Sequence, residues 1–148
     1  MGVFSAFNVS ASGLTAQRYR MDIISENVAN ANTTRTEDGT PYRRKVVTFE
    51  QKSDQTPFSR VLNKNLTDYS GRGVRVTSVR EDNMTEMNMV YDPAHPDADE
   101  NGYVTYPNVN IVAEMTNLID ATRAYEANAT AFDASKSIAM KGLEMGKG

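Results

Sequence analysis

Asn108-Val-Asn-Ile-Val-Ala-Glu-Met-Thr-Asn-Leu-Ile-Asp-Ala-Thr-Arg-Ala-Tyr-Glu-Ala-Asn-Ala-Thr-Ala-Phe-Asp-Ala-Ser-Lys-Ser-Ile-Ala-Met-Lys-Gly142 is the stretch that decides the fold. No proline follows Pro107, and alanine, the residue of highest helix propensity, recurs throughout. Ile111, Met115, Leu118, Thr122, Tyr125, Ala129, Phe132, Lys136, Ala139 and Leu143 alternate steps of four and three. That spacing predicts one stripe of a long helix, close to the repeat of a coiled-coil seam. Asn108 is the expected N-cap, and Gly142 and Gly146 are the expected stop signals. Such a helix is roughly 50 Å long. A chain of 148 residues cannot bury that stripe in a compact domain, so the helix needs a long partner from this chain or from a neighbour.

The partner within the chain is read at the other terminus. Val3 to about Asn30 carries Phe7, Leu14, Met21, Ile24 and Val28 on one face, with Gln17, Arg20, Asp22 and Glu26 among the polar remainder. Gly13 and several serines weaken its intrinsic helicity, so alone it is marginal in water. Pairing of the two terminal helices stabilises both and holds the middle of the chain at one end. The asparagine- and threonine-rich run Asn27 to Thr34 ends the first helix, because these side chains compete for backbone hydrogen bonds.

Between the helices the pattern changes. Lys45-Val-Val-Thr-Phe49 reads as a strand, and Gly73 to Val79 as a second. Met87 to Tyr91 is a candidate third, and Tyr103-Val-Thr105 a short last one. Ser53 to Gly71 is polar and aperiodic, with a short helix expected only around Phe58 to Leu62. The expected fold is therefore α+β and mainly α. Residues 1–34 and 108–148 form the terminal helical part, paired as a coiled-coil-like element, and 35–107 form a small β-containing middle.

Composition narrows the function classes. Hydrophobic residues make up 39% of the chain and mean hydropathy is -0.54, leaner than a typical globular enzyme. The absence of cysteine excludes disulfides, thiol chemistry and Cys-based metal sites, and fits work outside the cytosol. No apolar run is long enough for a transmembrane helix. The start lacks the basic and apolar regions of a cleaved signal peptide, and Ala6 stands where myristoylation needs Ser or Thr. A net charge of -3 gives no general case for nucleic acid. The charge is uneven: twelve Lys/Arg and seven Asp/Glu precede Glu81, whereas Glu81 to Thr122 holds nine acids and no Lys or Arg. That is either a solvated acidic face or one half of a contact between copies.

The stretches that could carry chemistry are few. Asp97-Ala-Asp99-Glu100-Asn101-Gly102 resembles the first half of a calcium loop, but Asn108 stands where the bidentate glutamate belongs. His95, the only histidine, could join Asp92, Asp97 and Asp99 in a small metal-binding module, the alternative function from a different class. Arg43-Arg44-Lys45 beside Tyr42 reads as a strand-edge charge group or ion-pair partner rather than a nucleic-acid footprint. There is no phosphate loop and no distinguishable catalytic constellation, so a wall-hydrolase reading finds no paired carboxylates. No cofactor, nucleic acid or small-molecule substrate is expected.

Three segments carry a resemblance. Ala11-Ser12-Gly13-Leu14-Thr15-Ala16-Gln17 leads to Asn27-Val28-Ala29-Asn30-Ala31-Asn32-Thr33. Asp92, Pro93, His95, Pro96, Asp97 and Asp99 are followed by Tyr103, Pro107 and Asn108. Glu114, Arg123, Tyr125, Glu126 and Asn128 close the set, and Pro41 to Lys45 agrees with it. The chain resembles the bacterial flagellar rod and hook protein family over almost its whole length. The resemblance implies a non-catalytic structural subunit of the basal-body rod, exported by the flagellar type III apparatus without a cleaved signal. It would assemble helically with other copies of itself, other rod proteins, the MS ring and export-gate components. The terminal helices would line a central channel and the middle would face outward. Phe7, Leu14, Met21, Ile24, Val28, Ile111, Met115, Leu118, Tyr125 and Phe132 are then the expected helix-packing and subunit-interface residues.

Overall fold

The computed structural model describes residues 3–52 and 72–146, with side chains from residue 5 onward. The short helix expected around 58–62 lies outside these residues. Helix α1 runs Val3–Ala29, strand β1 Lys45–Gln51, β2 Val74–Glu81, β3 Asn88–Tyr91, β4 Tyr103–Tyr106, and helix α2 Ile111–Met145. This is the α+β, mainly helical fold that the two periodicities predicted.

The helices pair antiparallel. Phe7 stacks edge-on against Phe132 with ring centroids 4.9 Å apart. The Thr122 hydroxyl lies 3.5 Å from the Met21 sulfur, and Asn27 meets Glu114 at 3.1 Å. The seam on α2 differs in phase from the expected stripe. Leu118, Tyr125 and Phe132 belong to it, but the alternating positions are Glu114, Ala121 and Asn128, each one residue before the expected Met115, Thr122 and Ala129. Glu114 and Ala121 are buried, whereas Ile111 and Met115 are exposed. Small Ala121 lets the backbones approach. Gly13 does the same on α1, since a Cβ there would lie 2.5 Å from Asn128 Oδ1. The glycine that weakens α1 in isolation is what the pair requires.

The N-cap of α2 is Asn110, not Asn108: the Asn110 side chain accepts from the Ala113 N–H. Gly142 stays within the helix, which ends at Gly146. Beyond α1, Asn30 Nδ2 donates to the Glu26 carbonyl and Thr33 Oγ1 to Asn30 Oδ1, so the asparagine-rich run ends that helix by the expected competition.

β1 and β2 pair antiparallel from Lys45↔Glu81 to Gln51↔Val74, with an irregularity between Thr48 and Phe49. The ribbon lies along α1. At its far end Gly73, at φ +77°, brings the chain against α1, where a Cβ would fall 2.1 Å from Ser12 Oγ. That hydroxyl accepts from the Val74 N–H at 3.0 Å and donates to the Val9 carbonyl at 2.7 Å. β3 and β4 form a separate antiparallel hairpin, Asn88↔Tyr106 to Tyr91↔Tyr103.

Candidate assembly site

The base of the helical pair is a polar joint. Asn27, 1% exposed on the last turn of α1, satisfies its whole amide. Its Oδ1 accepts from Tyr42 Oη and from the Lys45 N–H, both at 2.9 Å. Its Nδ2 donates to the Lys45 carbonyl at 2.9 Å and to Glu114 Oε2 at 3.1 Å. The side chain thus pairs with both backbone groups of Lys45, as a neighbouring strand would, while holding the first turn of α2.

Glu114 is equally buried, and its other oxygen accepts from Arg44 Nε at 2.8 Å. Arg44 Nη1 reaches Asp82 at 3.5 Å. Asn108 closes the circuit: its Oδ1 accepts from the Arg44 N–H at 2.9 Å, and its Nδ2 donates to the carbonyls of Asp82 and Thr85. Lys45 pairs with Glu26 and lies over the Tyr42 ring. Burial, with the carboxylates of Glu26, Glu114 and Glu81, pushes the Tyr42 phenol up to about 12. Hydrogen bonds from the Thr85 hydroxyl and N–H, with the Met84 N–H and the Arg44 guanidinium, hold Asp82 below the usual carboxylate range. α1, β1, the end of β2 and α2 are locked in one geometry here.

The residues expected at interfaces divide. Phe7, Met21, Ile24, Leu118, Tyr125 and Phe132 lie on the intrachain seam side, with Leu14 and Val28 half-buried on α1. Ile111 and Met115 join Val112 and Ile119 on an exposed apolar stripe of α2. Met140, Leu143 and Met145 are exposed at its end. Phe7 meets Phe132 four residues from the start of α1, but thirteen residues of α2 follow to Met145. The last roughly 13 Å of α2 therefore projects past the start of α1 as described.

The motif residues of the acidic loop act in turns. Asp92 Oδ1 accepts from the Ala94 N–H, and Asp99 Oδ1 from the N–H groups of Asn101 and Tyr103. His95 Nδ1 accepts from the Asp97 N–H. Asp97 accepts from Thr34 Oγ1 at 2.8 Å and pairs with Arg35 at 3.6 Å. Pro93 lies against Gly102, Pro96 is exposed, and Pro107 is buried beside Asn108. Asn32, Arg123 and Glu126 are exposed. Among the described residues no three His, Asp or Glu side chains form a group that could hold a metal ion. None of their helices is long and apolar enough to cross a membrane.

Sequence reasoning missed Tyr42, Asp82 and the Ser12–Gly73 contact as structural anchors, and read Glu114 only as part of a motif. Gly13 carried a usable signal: a glycine inside an otherwise favourable helix marks a close approach.

This arrangement has relatives. Residues 7–35 match a family model described as flagella basal body rod protein, and residues 100–145 one described as flagellar basal body rod FlgEFG protein C-terminal. The flagellar basal-body rod protein FlgC of Bacillus subtilis is 47% identical over 99% of this chain and 100% of its own length. The FlgC proteins of Borreliella burgdorferi and Salmonella typhimurium are 45% and 37% identical, covering 100% and 99% of this chain and 100% of their own lengths.

Proposed function

The chain belongs to the FlgC family of flagellar basal-body rod proteins and is a structural subunit of the rod; we propose that it polymerises helically with other rod subunits into a torque-carrying shaft around the export channel. The observation that carries this reading is the apolar outer stripe of α2. Ile111, Val112, Met115 and Ile119 are 43%, 75%, 56% and 53% exposed on the side away from α1. A soluble monomer rarely leaves such a contiguous patch uncovered.

In this reading residues 1–34 and 108–148 form the helical part that lines the channel, and 35–107 face outward. The chain reaches the rod through the type III apparatus, contacts the MS ring and export gate, and performs no catalysis. The polar joint keeps the two parts at a fixed angle while the α2 stripe is buried against neighbouring subunits.

The double variant Met115→Asp/Ile119→Asp tests this in a flagellated cell lacking its own copy of the gene. Both side chains point away from the seam, so the purified variant keeps the melting temperature that the wild-type chain shows as a dilute monomer. Swimming is expected to stop, with the variant missing from isolated basal bodies. Normal swimming with normal incorporation would overturn the reading.

A further inference from the structure

The uneven charge of the sequence acquires a geometry in the fold. The β1–β2 ribbon separates two unlike surfaces. At its Lys45↔Glu81 end lies the polar joint, from which the β3–β4 hairpin extends. At its Gln51↔Val74 end, α1 and the start of β2 enclose a groove of about 660 Å³. The ribbon is seven to eight residues long, roughly 25 Å.

The hairpin presents apolar surface with an acidic rim. Met89 and Tyr91 are each 63% exposed, and Tyr91 stacks edge-on with Tyr103 at 5.2 Å. Glu86, two residues before β3, and Asp99 and Glu100, in the turn that leads into β4, are exposed, and no Lys or Arg occurs between Glu81 and Thr122. The groove has the opposite character. Lys52, Arg72 and Arg75 line it beside Tyr19 and Val76, and no acid is among its described lining residues. Arg75 also pairs at 3.4 Å with Glu50, an exposed contact that water screens.

We propose that the acidic β3–β4 hairpin of one copy docks in the basic α1–β2 groove of a second copy. The two surfaces lie at opposite ends of one ribbon, so they meet between chains rather than within one. The contact joins two different patches, and a heterologous contact of that kind leaves both patches open for further copies instead of closing a dimer, building a helical array where its rotation does not close a ring. Tyr91 and Met89 supply apolar burial, and the charges fix the register and exclude a hairpin-to-hairpin contact. This proposal rests on the rod-subunit reading and specifies one of its contacts, distinct from the α2 stripe.

A photo-reactive phenylalanine analogue replacing Tyr91 tests it in the full chain, in a flagellated cell lacking its own copy. Irradiation is expected to join this position to residues 8–19 or 72–76 of a second copy, read by peptide mass spectrometry. The pair Lys52→Glu/Arg75→Glu should lower the adduct about tenfold, as loss of two exposed ion pairs implies. Adding Glu86→Lys/Glu100→Lys to that pair should restore it. Adducts only to another protein, adducts elsewhere on the second copy, absence of adduct, or failure of the charge swap to rescue would each overturn the proposal. Incorporation into basal bodies is read separately on the wild-type chain: its presence without the adduct sinks the docking and leaves the rod reading standing.

Discussion

Glu114 shows what a buried charge does here. Its two oxygens join Arg44 on β1's flank and Asn27 on α1, so one carboxylate at the start of α2 fixes three segments. Removing it takes from the buried joint the acceptor of Arg44 Nε and one of the two acceptors of the Asn27 amide, leaving Arg44 only the longer contact to Asp82. Glu114→Ala is therefore expected to cost about 3–5 kcal/mol in urea unfolding, and Glu114→Gln less, because the glutamine carbonyl still accepts one bond. Equal losses for both would mean that a neutral carbonyl recovers nothing of what the carboxylate contributes. Tyr42 gives the joint a pH signature. Its phenol titrates near 12 in the folded chain instead of the ordinary 10. Below pH 10 both states keep the proton. Between pH 10 and 12 the unfolded chain releases it first, so stability falls as pH rises. Tyr42→Phe should lose about 1 kcal/mol at neutral pH, from the bond to Asn27, and flatten that alkaline decline. An unchanged slope in the variant would assign the decline to other groups.

At the scale of elements, α1, α2 and the strands were legible because alanine-rich periodicity and β-branched alternation are local signals. The phase of α2 was not. Met115 reads as part of the stripe and Glu114 does not, yet the seam takes Glu114 because Arg44 and Asn27 satisfy it and leaves Met115 outside. Apolar periodicity cannot identify the inner side of a helix that has apolar residues on two sides. The acid's partners come from 70 and 87 residues away, beyond the reach of any local pattern. Asn108 misled for the same reason: its position beside Pro107 fits a cap, but its amide is used by Arg44, Asp82 and Thr85. The projecting end of α2 gives this scale its test. A stop at Met140 removes turns that meet nothing on α1 as described, whereas Phe132→Ala removes a ring packed on Phe7. The truncation should shift the melting temperature of the isolated chain by no more than about 2 °C, and Phe132→Ala by at least about 10 °C. A large shift from the truncation would show that α2's end is already paired within the chain.

For the whole molecule, the extent of intrachain burial decides whether the fold is self-sufficient. The buried apolar residues are small: Ala16, Ala31 and Ala121 stand among them, with Ile24 and Tyr42 the largest side chains. Long helices with so little intrachain burial are marginal, because propensity alone seldom sustains a helix in water. Association supplies the missing burial, and stability then follows concentration by mass action. Circular dichroism and analytical ultracentrifugation across a hundredfold range (about 1 to 100 µM) should show helicity and melting temperature rising together with the oligomer. The Met115→Asp/Ile119→Asp variant should abolish that rise, since it removes the intermolecular stripe and spares the intrachain seam. A fully helical monomer with one melting temperature at every concentration would show that the polar joint and the Phe7–Phe132 seam hold the helices alone. The exposed α2 stripe would then serve adhesion between finished subunits rather than completion of the fold.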